Sequence, residues 1–414
     1  MPLLRNWRKK LVTKSDDKRV PALRFKGFTD EWEQRKLGEI CKVTKLAGFE
    51  FTKYVNYSNT GSILAIRGIN VKKGKFNLQD VKYIDNSNFS RLSRSKLQEG
   101  DILFTYVGTI GNSAIVPKNV NWYLAPNVCL IRPQDKNSSF ISYLIQSDRF
   151  QHEEILKWIT TSSQPALSMK NIRKFKIILP LNSEQQKISS LVSKIDKLIT
   201  LQQRKLENYL LIKKKLSNIF FNDRIVNKND LLFEHRVKAN QLFISYSKKG
   251  FSHLPVLSAS QDKGMVFRKD ESKNILYTHD NLTNYKLVEP DDFVVHLRSF
   301  QGGFAYSDKT GIASPAYTIF KFKDDVDYNS VYWKEKFKSY NFIQLLKKVT
   351  YGVRDGRSIS FSDFLSLYLT FPDIEIQNKI GSALSKLDTR ISDQKKIIKK
   401  LENIKQFLLQ NMFI

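Results

Sequence analysis

The chain has 414 residues, 41% apolar and 12% aromatic, enough for more than one hydrophobic core and too apolar for wholesale disorder. Lys and Arg number 69 against 40 Asp and Glu, a formal charge of +29 that favours a polyanionic partner, because each neutralised phosphate releases condensed counterions. With only Cys41 and Cys129 a disulfide framework and a zinc ribbon are excluded, and the five histidines are scattered without metal-ligand spacing, so no metal site is expected.

In chain order, residues 1–21 form a basic arm carrying Arg5, Arg8, Lys9, Lys10, Lys14, Lys18 and Arg19, which reads either as a phosphate-binding arm or as a disordered tail. It contains no apolar run of signal-peptide length, and no stretch of the chain approaches about 18 apolar residues, so the expectation is a cytoplasmic protein with no membrane span. Residues 22–182 form a first globular part. Strands are predicted at Ser62–Ile66 and Asp101–Val107, an amphipathic helix at Ser139–Trp158, and a closing strand at Phe175–Leu179. Residues 183–221 then carry a four-three spacing of Ile188, Val192, Ile195, Ile199, Gln202, Leu206, Tyr209, Lys213, Leu216 and Phe220. That is a coiled-coil seam, with Ser183 and Gln186 suited to a capping box at its start. Residues 222–373 repeat the globular pattern, with a strand at Asp292–Leu297, a helix at Ser330–Lys348 and a strand at Ser366–Phe371. Residues 374–414 form a second long helix, with Asp373 as its cap. Its seam is Ile380, Leu384, Leu387, Ile391, Gln394, Ile398, Leu401, Lys405, Leu408 and Met412.

The chain is therefore written twice. Ser183-Glu184-Gln185-Gln186-Lys187-Ile188 matches Glu375-Ile376-Gln377-Asn378-Lys379-Ile380; Pro180 matches Pro372 and Gln202 matches Gln394, each 192 positions apart. The register holds without a gap from Ser168/Ser360 to Phe221/Phe413. Upstream matches are weaker and their offsets slightly smaller, as with Leu97-Gln98-Glu99-Gly100-Asp101 against Leu287-Val288-Glu289-Pro290-Asp291. Loop insertions account for such drift.

Several phrases, in order, carry a resemblance. They are Val20-Pro21-Ala22-Leu23-Arg24-Phe25, Trp32 to Ile40, Gly100-Asp101-Ile102-Leu103 followed by Gly108-Thr109-Ile110-Gly111, and the Pro-x₃-Glu-Gln-Gln-Lys-Ile start of the first long helix. Over nearly its whole length the chain resembles the specificity subunits of type I restriction-modification systems. The resemblance implies two target-recognition domains of mixed α/β fold, separated by two long helices that form an antiparallel coiled coil, in a pseudo-two-fold repeat. It implies a double-stranded DNA partner read as a bipartite, asymmetric sequence. Two adenine methyltransferase subunits would dock on the helices, with restriction/translocase subunits as further partners. The second domain departs from the pattern, having Arg298-Ser299-Phe300-Gln301-Gly302-Gly303 where the first has Gly108-Thr109-Ile110-Gly111-Asn112.

No catalytic arrangement is found. The chain lacks an Asn/Asp-Pro-Pro-aromatic motif, a Gly-rich cofactor loop and a Gly-x₄-Gly-Lys-Ser/Thr phosphate loop. Asp291-Asp292 and Asp324-Asp325 are not followed by the Glu-x-Lys of a nuclease metal site, and Lys309-Thr310-Gly311 stands without the partners of a β-lactamase. The expectation is a non-catalytic subunit without cofactors of its own, S-adenosylmethionine, ATP and magnesium belonging to partner subunits. Candidate DNA contacts are basic, amide or hydroxyl residues in loops, since Arg and Lys suit guanine, Asn and Gln suit adenine, and phosphate contacts set register. In the first domain they are Arg67, Asn70, Lys72, Lys73, Tyr106, Asn112, Ser162, Ser163 and Gln164, in the second Ser258, Gln261, Lys263, Arg298, Gln301, Tyr351, Arg354 and Arg357. Two other readings stay open: a stand-alone sequence-specific DNA-binding regulator, and a nuclease with an unrecognised site.

Overall fold

A computed structural model describes residues 11–13, 19–46, 48–134, 137–159, 165–221, 235–260, 263–270, 279–296, 298–351 and 358–414. The chain divides into two compact units, Met1–Gln203 with Ile397–Ile414, and Arg204–Lys396. The long helices are thus not a separate body, because each unit takes part of both.

In the first unit a four-stranded antiparallel sheet runs Ser113–Ile115, Ile102–Thr105, Val128–Pro133, Cys41–Lys45 in spatial order. Its two central strands, Ile102–Thr105 and Val128–Pro133, carry apolar runs because both faces are covered, whereas the edge strand Cys41–Lys45 alternates. Ile102, Phe104, Cys129 and Ile131 pack with Phe140, Ile172 and Phe175 on the helical side. The alternate residues Leu103, Ala114 and Leu130 pack with Val71, Trp122 and Leu124 on the other. Beneath that second face lies a sheet of Trp122–Leu124, Leu64–Ile66 and Lys82–Tyr83, its first pair parallel. The closing strand Lys176–Leu179 pairs with Glu33–Lys36. Leu11–Thr13, inside the basic arm, pairs antiparallel with Leu23–Phe25, so that stretch is a strand and not a free tail. Arg19 lies 3.6 Å from Glu31; Arg5, Arg8, Lys9, Lys10, Lys14 and Lys18 fall outside the described residues.

The second unit repeats the sheet order with Ala305–Tyr306, Phe293–Val295, Thr318–Phe322 and Phe243–Tyr246, and its closing strand Tyr368–Phe371 pairs with His235–Lys238. Its core is richer in rings: Phe243, Phe293, Phe304, Phe320, Phe337 and Phe364 form one cluster, which Trp333 joins through Phe243 and Phe337. Phe293 and Phe337 meet edge-on at 4.9 Å, a geometry the ring quadrupole favours.

Both helices expected before the closing strands are broken, and at the same repeat position. Ser147 and Ser339 adopt extended backbone, and the Oγ of each accepts the N–H of a residue three further on, Phe150 or Phe342, at 3.3 Å. The serine hydroxyl thus competes for a helical donor and starts a new helix. The first copy continues from Ser138–Gln146 into Asp148–Phe150, a π-helical turn Gln151–Ile155 and a 3-10 turn Leu156–Trp158; the second runs Ser330–Lys336, then Tyr340–Lys347.

The long helices span Asn182–Phe220 and Ile374–Asn411. The first starts one residue before Ser183, which therefore lies inside the first turn instead of capping it. The two helix starts are tied the same way, Gln185 and Gln377 Nε2 donating to the carbonyls of Pro180 and Pro372 at 2.9 Å. Asp373 precedes the second helix and its carboxylate meets His235 Nε2 at 2.7 Å. Seam residues Ile188, Val192 and Ile195, with Leu408 and Met412, enter the first unit's core, while Ile380 and Leu384, with Leu216 and Phe220, enter the second's. Leu387, Ile391, Gln394, Ile398 and Leu401 are buried, and Gln202, Leu206 and Tyr209 half-buried. Among the described residues the first unit adds a buried fork. Arg24 Nε and Nη2 donate to Glu184 Oε1 and Oε2 at 2.7 and 2.8 Å, where the second copy has Ile376.

Candidate functional site

In the first unit several loops are stitched into one cluster at the end of the sheets. Gly68 N–H donates to Pro126 O at 3.2 Å, Tyr106 N–H to Asn127 O at 3.3 Å, and Leu167 N–H to Tyr106 O at 2.8 Å. Gly74 N–H donates to Ser113 O at 2.8 Å, and Asn112 Nδ2 to Val71 O at 3.4 Å. Arg67, Lys72, Lys73, Tyr106 and Asn112, spread over 46 positions of sequence, thereby come together.

Their roles differ. Asn70 is buried, its amide donates to Asn77 O and Asp80 O, and its Oδ1 accepts from Arg67 N–H. It organises its own turn and, with both amide hydrogens used, is not free to read a base. Arg67 Nη2 donates to the Asp80 backbone and carboxylate at 2.9 and 2.8 Å, so its guanidinium is partly committed. Lys72 is exposed on a hairpin, Val71–Lys72 with Lys75–Phe76, and Lys73 lies 3.4 Å from Asp148. Two further cations belong to the cluster. Lys75 is exposed across the hairpin, and Lys45 Nζ stands 5.4 Å from the Tyr106 ring centre. Lys75 was legible in the run Lys72-Lys73-Gly74-Lys75; nothing local to Lys45 points to Tyr106. Burial raises the Tyr106 phenol above its ordinary range, so it stays a neutral hydrogen-bonding group.

The second unit has a matching arrangement. Its hairpin pairs Leu257–Ser260 with Gly264–Phe267, and the turns of both hairpins hold Lys-Gly, Lys73-Gly74 and Lys263-Gly264. Both glycines have positive φ, +78° and +75°. Lys263 is exposed, whereas Ser258 is buried and its Oγ accepts from Arg268 Nε at 3.1 Å. Ser258 is therefore a support for Arg268 and not a free reader. Arg298 and Gln301 are exposed at the short helix Ser299–Gly302, which packs against Ser358–Ile359. Arg298 N–H donates to His296 Nδ1 at 3.3 Å, and burial pushes the His296 imidazole down to about 4, so the ring is neutral and can accept. The Tyr351 backbone pairs with Ser358. Ser162, Ser163, Gln164, Gln261, Arg354 and Arg357 lie outside the described residues. Among the described residues no group of three or more His, Cys, Asp or Glu is placed to hold a metal ion, and no helix is long and apolar enough to cross a membrane.

One α/β unit made twice, with shared sheet order and divergent basic loops, rooted on paired helices, defines a duplicated recognition protein. The model of the type I restriction modification DNA specificity domain matches residues 29–211 and 236–403, and the chain belongs to that family. It is 23% identical over 412 residues to a putative type I restriction enzyme specificity subunit, MjaX, of Methanocaldococcus jannaschii, covering 92% of each chain. It is 24% identical over 230 residues to the MjaVIII specificity subunit of the same organism, covering 53% of each. The fold is that of the type I restriction-modification S subunit of M. genitalium, with a TM-score of 0.60 at 13% identity over 95% of this chain and 99% of that one. A chain from a study of complex assembly and conformational transition in the type I system gives 0.54 at 14% identity, over 91% and 96%.

Proposed function

We propose that this chain is the DNA-reading subunit of a type I restriction-modification complex, each unit recognising one half of a bipartite, asymmetric sequence. The observation that carries this reading is the duplication itself: the four-stranded sheets share their order, while the loops at the sheet ends do not share their residues. A common scaffold with two different reading surfaces is what two unlike half-sites require. The surplus of cations supplies sequence-independent affinity. Chemistry comes from partners, namely two adenine methyltransferase subunits with S-adenosylmethionine and, where present, ATP- and magnesium-dependent restriction subunits, all in the cytoplasm. Exposed Leu201, Leu211, Ile212 and Ile219 on the first long helix offer such partners apolar surface. Mapping N6-methyladenine in cells carrying the chain and its methyltransferase should reveal a gapped two-part motif that disappears when the chain is deleted. Tight binding to an ungapped site by the chain alone would instead make it a stand-alone regulator, and cleavage by the chain with magnesium would make it a nuclease.

A further inference from the structure

Each long helix carries one lysine at a seam position where an apolar residue would pack, and each lysine is the centre of a joint between three elements. In the first unit Lys405 Nζ lies 2.7 Å from Asp196 Oδ1 on the other long helix. Asp196 Oδ2 accepts from Tyr143 OH at 2.9 Å, and the ammonium stands 5.6 Å from the Tyr143 ring centre. Tyr143 belongs to the helix Ser138–Gln146 of the globular part. In the second unit Lys213 Nζ lies 2.7 and 2.9 Å from the two Asp388 oxygens and 2.9 Å from Glu335 Oε2. Glu335 belongs to the equivalent helix Ser330–Lys336. The six residues occupy three matched positions, 143 with 335, 196 with 388 and 213 with 405, all 192 apart. The same joint is built twice, with a phenol in one copy and a carboxylate in the other.

For stability alone a lysine is a poor choice here. The side chains of Lys213 and Lys405 are only 22% and 18% exposed, and a desolvated ammonium is compensated only when its carboxylate is in place. A methionine would fill the seam without that demand. What a charged pair adds at a seam is selectivity: one register sets ammonium against carboxylate, whereas an all-apolar seam tolerates slippage. Because the third group comes from the globular part, the joint also fixes how that part is seated on the helices.

We propose that Lys213–Asp388–Glu335 and Lys405–Asp196–Tyr143 are positioning residues that set the number of base pairs allowed between the two half-sites. This rests on the bipartite reading above; none of the six is assigned a contact with a base. The test uses the full chain assembled with its methyltransferase, acting on a pool of duplexes that carry both half-sites at the natural gap or at gaps one or two base pairs shorter and longer. Lys213→Met combined with Glu335→Gln and Asp388→Asn, and Lys405→Met combined with Asp196→Asn, keep the seam filled and leave no carboxylate without its ammonium, so thermal stability and half-site preference should hold. Methylation of off-gap duplexes, relative to the natural gap, should rise about tenfold. The reversed pair K405D/D196K should restore the narrow gap profile that K405D and D196K each lose. A folded methionine variant with an unchanged profile overturns the proposal, since packing then suffices, and so does a reversed pair as broad as its single parents. Should those variants fail to assemble, Tyr143→Phe, which removes one hydroxyl, must broaden the profile, and an unchanged profile again overturns the proposal. An unmodified complex indifferent to gap length would refute the bipartite reading itself, a result separable because it needs no variant.

Discussion

Asp101 and Asp292 have different partners, and the difference leads to a pH prediction. Asp292 lies one residue on from the Asp291 that the sequence match pairs with Asp101. It is nonetheless the structural counterpart, since the carbonyls of Asp101 and Asp292 accept the N–H groups of Val116 and Ser307 ahead of the second strand of each sheet. Both are buried, and each accepts a backbone N–H three residues upstream, from Gln98 at 2.7 Å and from Glu289 at 2.6 Å. Asp101 is neutralised by Arg132, which donates Nε and Nη2 at 2.6 and 2.7 Å. Asp292 has the Tyr246 hydroxyl instead, and burial pushes its carboxyl up from 3.8 to about 6. The folded protein therefore holds the Asp292 proton more tightly than the unfolded chain, and stability falls as pH rises from about 4 to about 6. At about 1.4 kcal/mol per pH unit the full penalty above pH 6 is on the order of 3 kcal/mol. Asp292→Asn removes the ionisation and keeps an oxygen able to accept from both Tyr246 and Glu289. A buried amide hydrogen left unpaired gives back roughly 1 kcal/mol or more. The net expectation is a second unit about 1–2 kcal/mol more stable at pH 7.5 and no more stable than wild type at pH 4. Two units need not unfold together, so the measurement is amide hydrogen exchange on Phe293–Val295 and Thr318–Phe322 at both pH values. A variant that is destabilised at pH 7.5 and relatively better at pH 4 would refute the reasoning, showing that the folded state stabilises the carboxylate.

The same physics gives four more expectations. Arg298→Ala should weaken binding by roughly 1–3 kcal/mol and relax only one half-site, while Lys72→Ala should weaken all sequences alike and lower the salt slope by about one; titrations of specific and random duplexes at several salt concentrations separate the two. Arg24→Ala leaves Glu184 charged and buried, so the first unit should lose about 3–5 kcal/mol in denaturant unfolding, and Arg24→Met with Glu184→Leu much less. At the hairpin turns Gly264→Ala should cost more than Gly74→Ala by thermal unfolding. A Cβ at 264 would lie 2.4 Å from the Tyr306 carbonyl, which cannot yield, but at 74 it meets only the end of the Gln146 side chain at 2.8 Å. Inserting one matched heptad in both long helices adds about 10 Å, close to 3 base pairs. Methylation mapping should then show a longer gap or loss of the gapped motif, and retention of the original gap at full efficiency would argue against a helical spacer.

Signals of high repetition were the legible ones. The four-three spacing from Ile188 to Phe220 predicted a long helix and needed no knowledge of its partner. The run Ile102-Leu103-Phe104-Thr105 predicted a strand, and its lack of alternation was a true report of burial on both faces. Ser147 and Ser339 were missed as breaks because a serine inside an apolar period is tolerated as often as it caps, and the choice lies in backbone geometry. Among the loop candidates, sequence cannot tell a residue aimed outward from one aimed at its own turn. Asn70 and Ser258 belong to the second kind, since Asp80 and Arg268, some ten positions away, decide where they point. Lys45 was missed because a sheet register, not a spacing, brings it to Tyr106.

The two cysteines sit on neighbouring strands of the first unit, Cys41–Lys45 and Val128–Pro133, both free and both buried. Burial pushes the Cys41 thiol up to about 12 and raises that of Cys129 as well. Since the thiolate is the reactive form, neither should take up a maleimide from the folded protein at neutral pH. The native chain is thus a silent background for site-specific labelling. A cysteine introduced at exposed Lys72, or at exposed Arg298, would carry a fluorophore without prior removal of native thiols, and a doubly labelled chain would report the distance between the two reading loops before and after DNA is added.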